Sequence, residues 1–164
     1  MFVSEEARLA VSATVAHTRL SELIRGSQLA RASEAAYGEG LTGLIRAGPA
    51  SSPALTPLVH ARFREPLTRN EAVVLILRWE VTGPGGVLFP VLDADIRLTP
   101  DGDEVTVLKL DGSYRPPLGA IGAVLDQAAM HRLATTTIRS FVGSIAGALV
   151  NPALARPPGQ AVKQ

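Results

Sequence analysis

A few residues of this chain have types and spacings that chemistry uses. Gly38-Glu39-Gly40-Leu41-Thr42-Gly43 matches G-x-G-x-x-G, the spacing by which a backbone loop cradles a dinucleotide phosphate. That cradle needs a strand before it and a helix after it. Here a helix precedes and a short strand follows, so the segment reads as a turn. Asp93 and Asp95 are alternate residues of one strand, point the same way, and could ligate a cation. Beside Arg78 and Lys109 on an outer face, they read instead as a solvated charged ladder. His17, His60 and His131 fall on three separate elements with no metal-ligand spacing. His131 could act as a base only if turned inward. No serine sits in a G-x-S-x-G elbow, and nothing resembles a hydrolase triad. These readings leave no metal, no cofactor and no assigned catalytic residue.

The other candidates are apolar or basic. The chain has one Trp, two Tyr and four Phe, and Phe63, Trp79 and Tyr114 lie on inward faces or at a strand end. They either line a cavity or fill a core. His60, Arg62 and Arg64 share an outer strand face, which is either solvated or suited to an acidic partner. Arg132 and Arg139 are seven residues apart and project within about 20° of each other on a helix. They either snorkel along the edge of its apolar stripe or, for Arg132, point into a cavity and hold an acidic or carbonyl head group. His131 would then flank that head group at the mouth.

The elements that must position these residues follow from periodicity. Residues 7–16 alternate, with Leu9, Val11, Ala13 and Val15 on one side, and predict a half-buried strand. Thr18 begins a helix that Gly26 ends; Ser27 to Tyr37 is a second short helix broken by Gly38 and Gly40. Leu41 to Ala47 reads as a short strand and 49–57 as a loop. Strands follow at Leu58–Glu65, Val73–Val81, Leu88–Leu98 and Glu104–Gly112, with Pro66 to Asn70 turning the chain. Leu75, Leu77, Trp79, Leu92 and Ala94 face inward.

The two later turns test this alternation. Gly83-Pro84-Gly85-Gly86 as a hairpin turn puts Arg78 beside Asp93 and Leu77 opposite Ala94. A three-residue loop at Pro100-Asp101-Gly102 puts Lys109 near Asp93 or Asp95. Pro116-Pro117 ends the sheet, and a helix runs from about Leu118 to Leu149, with Ile121, Val124, Leu125, Ala128, Val142, Ala146 and Leu149 on its apolar stripe. At 1.5 Å per residue it spans about 45 Å. Residues 151–164 read as a disordered tail after a single domain over 1–150.

Composition narrows the function classes. The chain has 164 residues, 46% of them hydrophobic and 19% charged, against about 25% charged in an average domain. The apolar excess must sit in a core, a lined cavity or a subunit interface. Sixteen basic and fifteen acidic residues leave a net charge of +1, without the basic excess a nucleic-acid binder needs. There is no cysteine, hence no disulfide, thiolate site or cysteine nucleophile. Phe141 to Val150 is the longest apolar stretch, far short of the about 20 residues of a membrane span. Ser4, Glu5 and Glu6 are wrong for a signal peptide, so the expected location is cytoplasmic. Fourteen arginines against two lysines fit a GC-rich bacterial genome.

The order is a strand, two short helices, an antiparallel meander and a long last helix. This resembles the helix-grip fold of the START-like (SRPBCC, polyketide cyclase-like) superfamily. Its most specific stretch is Tyr114-Arg115-Pro116-Pro117-Leu118-Gly119, then Gly122, Leu125-Asp126, His131-Arg132 and Phe141, which resembles the lead-in and first turns of the last helix in bacterial members. The resemblance covers residues 5–150 and implies an α+β fold, with a curved sheet of six to seven strands wrapped around the C-terminal helix. It also implies a cavity for a lipid, an isoprenoid or a polyketide. The ligand-binding residues expected are Phe63, Leu75, Leu77, Trp79, Leu92, Ala94, Tyr114, Leu125 and Arg132. Two alternatives stay open: a cyclase or aromatase-like enzyme, and a chain without ligand whose apolar surface makes a homodimer. Few inward titratable groups are expected, which ranks binding above catalysis.

Overall fold

A computed structural model describes residues 2–26, 28–47, 58–64, 66–69, 72–82, 91–115 and 127–155. Six strands form one sheet: β1 (Phe2–Leu9), β2 (Leu58–Phe63), β3 (Leu67–Arg69), β4 (Ala72–Thr82), β5 (Val91–Pro100) and β6 (Thr106–Arg115). Their order is β1-β6-β5-β4-β2, with β3 also paired to β4, and every pairing is antiparallel. The helices are α1 (Ala13–Arg25), α2 (Gln28–Ala47) and α3 (Gln127–Val150). The fold is α+β, a curved antiparallel sheet gripping the C-terminal helix, as expected.

The inner face of the sheet is built in rows. Val73, Leu98 and Leu108 are paired neighbours, as are Leu75, Ile96 and Leu110, and then Leu77, Ala94 and Gly112. All are buried. The last inner row is Trp79, Leu92 and Tyr114, also buried. Gly112 is required where it stands: a Cβ there would lie 2.9 Å from that of Ala94 and 3.2 Å from the Asp93 carbonyl oxygen. Helix α3 answers with Ala134, Thr137, Ile138, Phe141, Val142, Ile145 and Leu149, a buried stripe at three- and four-residue spacing. It packs on α2, β1, β6 and α1. Arg19 of α1 donates to the terminal carbonyls of α3, at 2.5 Å to Leu149 O and 3.1 Å to Val150 O. A cation thus caps the negative end of that helix dipole.

Several expectations are corrected. The first strand is Phe2–Leu9 rather than 7–16. It has the expected parity, but residues 13 and 15 belong to α1, whose buried Ala16, Leu20 and Leu23 impose the helical period. Helix α2 runs straight through Gly38, Gly40 and the predicted strand 41–47 to Ala47. A helical glycine costs about 1 kcal/mol, and packing of α2 on α3 outweighs it. The Ser140 hydroxyl on α3 donates to Glu39 at 2.5 Å. The G-x-G-x-x-G segment therefore lies inside a helix and is not a turn. Residues 67–69, predicted as turn, pair with β4 as a short strand.

The Pro100 hairpin keeps the expected parity, but its loop has five residues, closed by Asp101 N to Val105 O at 2.8 Å, with Gly102 at φ 87°. Lys109 therefore faces Arg97 across the ladder, and Asp95 faces Asp111. Helix α3 begins among the described residues at Gln127 and spans about 36 Å. Pro152–Ala155 forms a 3-10 turn where a disordered tail was expected. The glycine turn at 83–86 and helix residues 118–126 lie outside the described residues.

Candidate functional site

The inner row Trp79–Leu92–Tyr114 is the most distinctive part of the interior. β4 and β5 place Trp79 beside Leu92, and β5 and β6 place Leu92 beside Tyr114. The two aromatic residues thus stand two strands apart, about 10 Å at normal ladder spacing. Phe141 of α3 meets Trp79 edge to face, with ring centroids 4.8 Å apart at 73°. The Trp79 ring is 1% exposed, yet its indole Nε1 meets no hydrogen-bond acceptor among the described residues. A buried N–H normally has a partner.

A pocket lies beside α1. Phe63, opposite Leu77 in the ladder, is only half-buried. Together with Ser21, Ile24 and Arg25 of α1, and with Arg64 and Pro66 just past β2, it lines this pocket of about 400 Å³. Of these six, the sequence singled out Phe63 as a ligand contact and Arg64 as part of an outer face. Arg25 was missed because nothing in linear spacing brings residues 25 and 64 together; only the packing of α1 beside the end of β2 does.

Phe63, Leu75, Leu77, Trp79, Leu92, Ala94 and Tyr114 share the inner face, as expected. Leu125 lies outside the described residues. Arg132 is exposed, nine residues before the buried Phe141 and so on the opposite side of α3. His131 is exposed too. The anchor role expected for Arg132 is corrected: the face set by Ala134 to Leu149 turns it to solvent. Glu5 was missed. It occupies an inward position on β1 opposite Leu110, and its carboxylate meets Arg139 Nε at 3.5 Å.

The outer face is a charged ladder. Arg78 and Arg115 both meet Asp93, at 3.5 and 2.5 Å. Arg97 meets Asp95 at 3.5 Å and Asp111 at 3.6 Å. Asp111 also accepts from Ser4 at 2.7 Å and meets Lys109 at 3.2 Å. Partial burial pushes the Asp111 carboxyl up, but Ser4, Lys109 and Arg97 together hold it below its ordinary value of 3.8. A hollow of about 320 Å³ lies over this face, rimmed by Asp93, Asp95, Arg97 and Asp111. Its carboxylates are already matched by cations, and no group of three or more potential metal ligands occurs among the described residues.

No helix among the described residues is long and apolar enough to cross a membrane. No family model and no curated protein matches the sequence. Among solved structures, the chain is similar to a point mutant of norcoclaurine synthase from Thalictrum flavum in complex with a transition-state analogue. Identity there is 13%, with 87% of this chain and 94% of that one covered at a TM-score of 0.40. It is similar to the same plant's enzyme with dopamine and hydroxybenzaldehyde, at 14% identity, 87% and 84% coverage and a TM-score of 0.39. It is also similar to the Zhui aromatase/cyclase from Streptomyces sp. R1128, at 11% identity, 93% and 97% coverage and a TM-score of 0.36.

Proposed function

We propose that this chain binds a small, mainly apolar molecule, such as a lipid, an isoprenoid or a polyketide-like compound, against the inner face of its sheet. The molecule enters beside Phe63 and reaches the Trp79 row. The buried Trp79 Nε1 carries this reading. An unpaired buried donor costs about 1–3 kcal/mol, and a carbonyl, ether or hydroxyl oxygen on a ligand would recover it. Leu77 and Ala94 supply the apolar wall next to that row. Binding is favoured over a cyclase reaction because most inner strand positions among the described residues are aliphatic or aromatic, and Glu5 is the one ionisable carboxylate there. Glu5 is engaged by Arg139, and the Thr106 hydroxyl donates to Val11 O at 2.8 Å.

Native mass spectrometry of freshly purified protein tests this. The expected spectrum shows the chain with a small molecule that is lost on denaturation, or uptake of at least one added lipid, isoprenoid or aromatic polyketide. A bare chain that takes up none of the three would overturn it, and a bare homodimer would favour the interface alternative.

A further inference from the structure

We infer that the pocket between α1 and the end of β2 holds the anionic head group of an amphiphile whose chain runs inward past Phe63. This rests on the binding reading above and names its ligand class. The pocket has two chemistries. Ile24, Phe63 and Pro66 make an apolar lining, while Arg25 and Arg64 add two guanidinium groups from separate elements. Its volume of about 400 Å³ lies in the range of small-molecule sites, about 300–1,000 Å³.

The two arginines differ from those on the outer face of the sheet. Arg8 meets Asp101, Arg78 and Arg115 meet Asp93, and Arg97 meets Asp95 and Asp111. Arg25 and Arg64 meet no carboxylate among the described residues; Arg25 Nε only donates to the Ser21 carbonyl, at 3.3 Å. Two like charges around one pocket repel each other, and an anion between them removes that cost. A guanidinium also presents a planar fork that fits the two oxygens of a carboxylate or phosphate.

Phe63 lines the pocket and shares the inner face of the sheet. It stands opposite Leu77, which in turn stands opposite Ala94. A chain attached to a head group at Arg25 and Arg64 would therefore continue over the row adjacent to Trp79.

The test compares dodecanoate, dodecyl phosphate and neutral dodecanol by calorimetry below micelle formation, on the intact chain and on R25Q and R64Q. Thermal melts confirm that these exposed substitutions leave the fold in place. Both anions should bind about tenfold or more tighter than dodecanol, the size of one charge-assisted hydrogen bond. Each substitution should remove about tenfold of that affinity, leave dodecanol unchanged and flatten the salt dependence. Preference for one anion over the other identifies the head group as carboxylate or phosphate. Equal binding of dodecanol and the anions, or anion affinity unchanged in both variants, overturns the head-group site while leaving apolar binding standing. Failure of all three probes to bind overturns the head-group site, and uptake of an isoprenoid or an aromatic polyketide by the same protein would leave the binding reading standing.

Discussion

The edge of one ring in the Trp79–Phe141 pair meets the face of the other, with centroids 4.8 Å apart and planes at 73°. This contact joins β4 to α3. Both side chains are among the largest fully buried ones. Edge-to-face pairs add about 0.5–1.5 kcal/mol beyond the area they bury.

Phe141→Ala should therefore destabilise the chain by about 3–5 kcal/mol, the usual cost of emptying a buried aromatic site. Phe141→Leu should cost clearly less, because it refills much of the volume. Urea melts followed by Trp79 emission measure both, and the Ala variant should emit further to the red. Equal and small losses would mean that the helix does not seat on Trp79.

The two faces of the sheet should respond differently to truncation. Leu77→Ala removes a fully buried side chain and should cost about 2–5 kcal/mol. Asp93→Asn weakens exposed ion pairs with Arg78 and Arg115 and should cost less than about 1 kcal/mol. Denaturant melts in the reverse order would mean that the faces are inverted.

Asp111 gives the outer face a pH dependence of known sign. Its carboxyl is held below 3.8 in the folded chain, so its charged form is favoured by folding. That stability is fully present above the unfolded-state value and is lost as pH falls through the lower folded-state value. The urea midpoint should fall as pH drops below about 4, the range in which an ordinary Asp titrates. Asp111→Asn should flatten that fall, and so, in part, should Ser4→Ala, which removes the hydroxyl donor. A fall of the same size in Asp111→Asn would assign it to other carboxylates.

Much of this fold was legible because alternation on the central strands is strict. Val73, Leu75, Leu77 and Trp79 leave no doubt about the inner face, and the pairs Arg78–Asp93 and Leu77–Ala94 lie as expected. The misreadings have physical causes. Glu5 interrupts the apolar alternation of Val3, Ala7 and Leu9, so β1 was displaced towards the apolar residues of α1; at the sheet edge, Arg139 makes the inward carboxylate tolerable. Leu41–Ala47 is too short an apolar run to tell strand from helix. The loop after Pro100 keeps parity with either three or five residues, so side-chain alternation could not choose between them. The pocket was hardest to see. Phe63 was visible as an inward aromatic, but Arg25 joins it only through the packing of α1, which no local pattern encodes.

The most direct measurement of the central claim is a fluorescence titration of Trp79, the chain's only tryptophan. Fatty acids, isoprenoids and aromatic polyketides are added in turn to the folded protein. An acceptor reaching the indole Nε1, or an apolar chain settling beside the ring, should give a saturable change in emission with at least one class. Trp79→Phe should weaken that ligand's binding, read by calorimetry, because the donor is lost. A chain that stays folded by circular dichroism but shows no emission change with any class, and no heat of binding, would contradict the account.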